Sequence, residues 1–106
     1  MSDFYCEQVL SGKTSVEKVL ETPNILAFYH TKPAYPVHIV VIPKHHIDSL
    51  LELDDAMLCV EMMDVVRQVA GMVAREHISC RVVTNLGAYQ ESKHLHWHII
   101  SGKMFE

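Results

Sequence analysis

Seven residues, His94-Leu95-His96-Trp97-His98-Ile99-Ile100, constrain this chain more than any other segment. Three histidines alternate with large apolar residues and run into an Ile-Ile end. Side chains on a β-strand alternate between faces. His94, His96 and His98 are therefore expected on one face, with Leu95, Trp97 and Ile99 on the other. Such a strand is half core and half chemistry. Three imidazoles on one face can attack an electrophile, relay protons or bind a metal near neutral pH. An exposed strand face that merely happens to carry histidines is the competing explanation. It accounts poorly for an unbroken apolar complement.

The 106 residues fit one domain, and 49% hydrophobic content is enough for a small core. A formal charge of −4 argues against a broad surface for long nucleic acid but leaves room for one small phosphorylated ligand. No apolar run approaches the length of a membrane span. Charges at Asp3, Glu7, Lys13, Glu17 and Lys18 break up any signal-peptide core. The three cysteines, Cys6, Cys59 and Cys80, are widely spaced and odd in number, which suits a reducing cytosol. Cys59 and Cys80 read as core filler, and His45 and His77 as solvated surface residues.

The pattern along the chain predicts an α+β fold. Phe4 to Leu10 suits a short helix ending near Gly12. Ser15–Glu21 and Asn24–His30 read as strands around a Thr22-Pro23-Asn24 turn. Val37–Ile42 reads as a central strand bracketed by Pro36 and Pro43. Asp48 suits the cap of a brief helical turn through Leu53. Asp54 or Asp55 suits the cap of a long helix to about Glu76, with Leu58, Met62, Val65, Val66, Val69 and Val73 on its core face. Met57, Met63, Ala70 and Met72 widen the apolar surface of that helix. Burial on two sides and a subunit interface both explain this excess. Arg81–Thr84 and His94–Ser101 are the last strands, separated by a polar loop, Asn85–Lys93. The order of elements favours an antiparallel sheet.

Two segments carry chemistry: His38 to Ile47, with histidines at both ends of an apolar run, and Asn85 to Ile100. Together they resemble the histidine triad (HIT) family, in its Hint-like branch. The His-apolar-His-apolar-His strand with two apolar residues after it matches that family's signature. Leu26-Ala27-Phe28, Ile42-Pro43-Lys44 followed by His46, Asn85, and Gln90 four residues before the triad support the match. The resemblance covers roughly Phe4 to Met104 and places one HIT domain over residues 4–106.

The resemblance implies a five-stranded antiparallel sheet with one long helix and a short N-terminal helix, paired as a homodimer. It implies a hydrolase that cuts nucleotides at the α-phosphate, most simply a purine nucleoside phosphoramidase. His96 would be the nucleophile and would carry a nucleotidyl-histidine intermediate. His98 would contact phosphate and leaving group, and His94 and His38 would orient the cluster. Phe28, His30, Asn85, Gln90 and Ser92 would join His96 and His98 in binding the nucleotide. Histidine at the last triad position favours hydrolysis over transfer to a sugar phosphate, since the transferases carry glutamine there. A dinucleoside polyphosphate hydrolase, or a nucleotide sensor or scaffold with little turnover, are the alternatives.

Two departures stand out. His30 occupies the place where similar hydrolases carry an acid that holds the ribose hydroxyls. Glu91 occupies the place of a serine, with Ser92 next. The resemblance requires no cofactor. Some bacterial HIT proteins, however, hold zinc through two cysteines, a histidine after the Pro-Lys run and the first triad histidine. Cys6, His46 and His94 match three of these ligands, and Asp3 falls where the first cysteine would be. Zinc accepts carboxylate oxygen. The competing expectation, favoured from sequence alone, is a lost site with Cys6 as a small apolar residue. A metal on the whole triad is disfavoured, because His94 and His98 would lie roughly 13 Å apart along an extended strand.

Overall fold

The computed structural model describes residues 3–106. Five strands form one antiparallel sheet in the order β1-β2-β3-β5-β4. They are β1 (Lys18–Glu21), β2 (Ile25–Tyr29), β3 (Val37–Pro43), β4 (Arg81–Thr84) and β5 (Trp97–Ser101). One long helix, α1 (Ala56–His77), covers one face. A short N-terminal helix, Tyr5–Leu10, has π geometry and lies on the other. The fold is the α+β arrangement that the order of elements predicts.

The centre of the sheet is buried on both sides. Ile25, Ala27, Ile39, Val41, Leu95 and Ile99 pack against Leu58, Met62, Val65, Val66, Val69 and Val73 of α1, the stripe expected from helical spacing. Leu26, Phe28, Val40 and Ile42 pack against Tyr5 and Val9 of the N-terminal helix. This two-sided burial explains why β2 and β3 read as continuous apolar runs rather than alternating ones. Met62 is fully buried, and truncating it to alanine is expected to cost about 2–5 kcal/mol.

Asp55, not Asp54, caps α1: its carboxylate accepts from the backbone N–H groups of Met57 and Leu58. Glu61 then ties the helix to the β1–β2 turn, accepting from Thr22 Oγ1, Asn24 N and Asn24 Nδ2. Met57, Val60 and Met63 stay exposed on α1, while Ala70 and Met72 are half-buried.

The structure corrects several element boundaries. β1 starts at Lys18 rather than Ser15, and its register slips between Lys18 and Leu20. The turn before α1 spans Leu50–Glu52 and is capped by Ser49, whose hydroxyl accepts from Leu51 N. Asp48 turns its carboxylate to His46 instead. The polar loop from Asn85 contains a 3-10 turn at Gly87–Tyr89.

The largest change concerns the triad. β5 begins at Trp97, so His94 and His96 precede the strand and only His98 lies in it. The last pair of its ladder with β3 is Val41 with Trp97. Beyond it the neighbouring strand ends at Pro43, which has no N–H to donate. The freed backbone finds other partners: Leu95 N donates to Ile47 O at 2.7 Å, and Thr84 Oγ1 donates to His96 O at 2.8 Å. The alternation of faces survives nonetheless. Leu95, Trp97 and Ile99 face α1, and the histidines face the N-terminal segment.

Gly102 has φ +90°, and a Cβ there would lie 2.8 Å from Pro36 Cγ. Glycine is therefore required where the chain leaving β5 passes the turn that feeds β3.

Candidate active site and metal centre

Each ring of the histidine cluster has its orientation set by the backbone or by another ring. Ala34 N donates to His38 Nδ1 at 3.0 Å. Nε2 of His38 must then carry the proton, and it donates to His98 Nδ1 at 2.9 Å. This leaves Nε2–H of His98 as the free donor. Nδ1 of His96 lies 2.7 Å from the carbonyl oxygen of His94. A carbonyl only accepts, so His96 carries its proton on Nδ1 and presents a lone pair at Nε2.

Burial keeps these rings neutral at physiological pH. Desolvation, followed by the neighbouring His96, His38 and His30, pushes His98 down to about 3. Desolvation and His30 push His38 down to about 4. His96 is lowered chiefly by desolvation, although its bond to the His94 carbonyl acts the other way. A neutral, oriented imidazole is the form that can act as a nucleophile.

His96 opens into a cavity of about 310 Å³. Phe4 and Tyr5 form one side of it, with the Tyr5 ring centred 5.0 Å from that of His96. His30, Thr31 and Lys32 form a second side, and Glu91 and Ser92 a third. Nδ1 of His30 accepts from Lys32 N at 2.9 Å, and its ring lies 4.4 Å from that of His38. Burial, then His96, lowers the His30 pKa, so the ring is neutral and its Nε2–H is a donor.

The expected binding residues separate in space. His30, Ser92 and His96 line the cavity, whereas His98 is not among its lining residues and stacks edge-on to His96 with ring centres 4.9 Å apart. Phe28 is not among its lining residues and is packed under Tyr5, with ring centres 6.1 Å apart. Gln90 is buried and spends its amide on Asp48 O at 2.7 Å. Asn85 does not line the cavity. Phe4, Tyr5, Thr31, Lys32 and Glu91 are the cavity residues that sequence reasoning passed over. Thr31 and Lys32 could have been found as neighbours of His30, whereas nothing in the sequence announces that the N-terminal helix folds over the triad.

A second cluster adjoins the first. Ligand atoms of Asp3, Cys6, His46 and His94 all lie within 4.8 Å of one another. Nε2–H of His94 donates to Pro43 O at 2.8 Å, and its Nδ1 lies 2.9 Å from Asp3 Oδ2 and 3.2 Å from Cys6 Sγ. His46 contacts the Asp3 carboxylate through Nδ1 and the Asp48 carboxylate through Nε2. Burial alone would raise the Asp3 carboxyl, but hydrogen bonds from Cys6, His94 and His46 hold it well below the usual carboxylate range. Desolvation and the Asp3 charge push the Cys6 thiol up to about 11.

Ligand atoms of four side chains therefore converge on one point, where they share protons among themselves. One cation can replace those protons and bind all four. The set of one carboxylate oxygen, one sulfur and two imidazole nitrogens suits zinc, and Asp48, which contacts Nε2 of His46, would hold that ring in orientation. The residues fit the metal. The sequence alone favoured a lost site, whereas the structure brings its four positions together.

Residues 11–105 match the HIT domain model. The chain belongs to the HIT family. It is 32% identical to a HIT-like protein of Helicobacter pylori over 91% of this chain and 93% of that one. It is 33% identical to the adenosine 5′-monophosphoramidase of Schizosaccharomyces pombe over 94% of this chain and 74% of that one. Among solved structures, a HIT family hydrolase from Legionella pneumophila superposes with a TM-score of 0.81 at 27% identity, covering 96% and 94% of the two chains. A histidine triad protein from Clostridium difficile is 36% identical with a TM-score of 0.71 and covers all of this chain. Among the described residues no helix of this HIT protein is long and apolar enough to cross a membrane.

Proposed function

We propose that this HIT protein is a nucleotide hydrolase that cleaves at the α-phosphate through a nucleotidyl intermediate on His96, acting as a purine nucleoside phosphoramidase. One observation carries the reading: His96 lines the cavity with its Nδ1–H tied to the His94 carbonyl, which leaves Nε2 as its lone-pair nitrogen. The kinship with a fungal adenosine 5′-monophosphoramidase supports it.

The chemistry follows from the tautomers. A phosphoramidate protonated on its bridging nitrogen has a neutral amine as leaving group. Nε2 of His96 forms a bond to phosphorus as the phosphorus–nitrogen bond breaks, and the amine departs with its proton. Nε2–H of His98 donates to a phosphate oxygen as charge develops there. Water then attacks phosphorus, the bond to His96 breaks, and the nucleoside monophosphate leaves. Phe4 and Tyr5 offer apolar ring surface to a planar base. A zinc ion held by Asp3, Cys6, His46 and His94 would have all four positions filled by protein, which makes it a structural cross-link.

Incubation with adenosine phosphoramidate and diadenosine polyphosphates, followed by measurement of AMP release, tests the activity. AMP from the phosphoramidate supports the reading. Release only from the polyphosphates would move the protein to dinucleoside polyphosphate hydrolysis. Binding without release would favour a second reading, a nucleotide sensor with little turnover, which His30 in place of an acid supports. The exposed Met57, Val60 and Met63 support a homodimer in either case, and three free thiols suit a reducing cytoplasm.

A further inference from the structure

We infer that a divalent metal ion on Asp3, Cys6, His46 and His94 fastens the Phe4–Tyr5 wall of the nucleotide cavity onto His96, so that metal and nucleotide bind cooperatively. The inference rests on the nucleotide reading of the cavity and adds a coupling between two sites.

Connectivity is the first argument. Asp3 and Cys6 flank Phe4 and Tyr5 in the chain, and both flanking residues belong to the metal cluster while both enclosed residues line the cavity. The other two ligands sit in the body of the fold. His46 follows β3, and His94 stands two residues before the nucleophile. The cluster thus clamps a two-residue piece of cavity wall from both ends.

The second argument is that, apart from the packing of Tyr5 and Val9 on the sheet, little else holds that piece. The N-terminal helix has six residues, no side-chain cap at Phe4, and only Tyr5 and Val9 buried. A helix this short is marginal without tertiary anchors. The Tyr5 ring lies 5.9 Å from that of His94 and 5.0 Å from that of His96, so displacing the segment uncovers both.

The third argument is that another stretch of the cavity lining, Glu91 and Ser92, reaches the same cluster. Gln90 donates to Asp48 O at 2.7 Å, and the Asp48 carboxylate meets His46. Gln90 immediately precedes Glu91 and Ser92, which also line the cavity. On the triad side, the carbonyl of His94 fixes the His96 tautomer while its ring faces the metal position. A cation drawing these four groups together therefore sets two walls and the nucleophile at once. Without it, only the hydrogen-bond contacts of Asp3 and Cys6 with His46 and His94 hold the segment to this cluster. Coupling of this kind is reciprocal: whatever factor metal adds to nucleotide affinity, nucleotide adds to metal affinity.

The test compares chelator-stripped protein with protein loaded with one zinc equivalent. Calorimetry should show AMP binding at least about fivefold tighter to the zinc form, the low end of known couplings. Zinc affinity measured with and without saturating AMP should change by the same factor. Amide hydrogen exchange of residues 4–10 should slow on zinc addition. Asp48→Asn keeps all four ligands and should weaken zinc roughly 10-fold or more, with exchange in residues 4–10 rising at limiting zinc. Cys6→Ser should lose the zinc effect on both AMP affinity and exchange. Stoichiometric zinc binding with unchanged AMP affinity and unchanged exchange overturns the inference, as does failure to bind zinc. If AMP binds neither form, the nucleotide reading falls, and exchange in residues 4–10 still decides whether the metal fastens the segment.

Discussion

The carbonyl oxygen of His94 lies 2.7 Å from Nδ1 of His96, and this contact decides which nitrogen of His96 can react. With Nδ1–H engaged, only Nε2 is free to attack. His96→Ala is expected to lose at least about three orders of magnitude in turnover, the scale of other covalent nucleophiles. Circular dichroism should show the fold intact. A variant that cleaved phosphoramidates at the wild-type rate would place the chemistry elsewhere.

The depressed histidines make a prediction about stability. In the unfolded chain each ring returns to the ordinary value of 6.5, whereas in the fold His98 is pushed down to about 3 and His38 to about 4. The unfolded chain therefore binds protons more readily between these values. Stability is full above pH 6.5 and falls as the pH drops toward 4. Thermal melts at pH 7.5, 6 and 5 should give steadily lower midpoints. His98→Gln should flatten that slope by removing one of the two rings. Midpoints independent of pH over this range would refute the account.

The α1 stripe and the face-alternation of the triad were legible because spacing alone decides them. The boundaries were not, and the reasons are local. The triad leaves β5 early because Pro43 ends the neighbouring ladder. Ser49 takes the capping role expected of Asp48 because His46 claims the Asp48 carboxylate. The site was half legible. His96, His98 and His38 stand out by pattern, whereas Asp3, Cys6, His46 and His94 are picked out as a metal set only by the family resemblance. That Asp3 and Cys6 meet His94, 91 and 88 residues away, is a tertiary fact. So is the roof that Tyr5 makes over His96.

Self-association should run through the outer face of α1. Met57, Val60 and Met63 recur at helical spacing there and remain exposed, and β4 lies at the sheet edge with Val82 exposed. Sedimentation at micromolar concentration should give twice the chain mass. Val60→Glu leaves the core untouched, since Val60 is 63% exposed. It should cost about 2 kcal/mol or more of association free energy by burying a charge in the interface. A wild-type monomer, or a Val60→Glu dimer of unchanged affinity, would remove this face from the assembly.

His30 is expected to govern ribose recognition rather than the chemical step. Its Nδ1 is already occupied by the Lys32 N–H, so the ring offers the cavity one donor at Nε2 and no acceptor. A carboxylate there could accept from both ribose hydroxyls. His30→Asp should therefore tighten AMP binding by about 1–2 kcal/mol, the scale of one charge-assisted hydrogen bond. A 2′,3′-dideoxy analogue has no hydroxyls to donate and should gain little. The new carboxylate will also sit near His38 and His98, whose neutral rings carry no positive charge to favour it. Any gain for AMP over the analogue must then come from the hydroxyls. Titration calorimetry with both ligands separates the contributions. Equal gains for the two, or none for AMP, would show that His30 does not face the ribose.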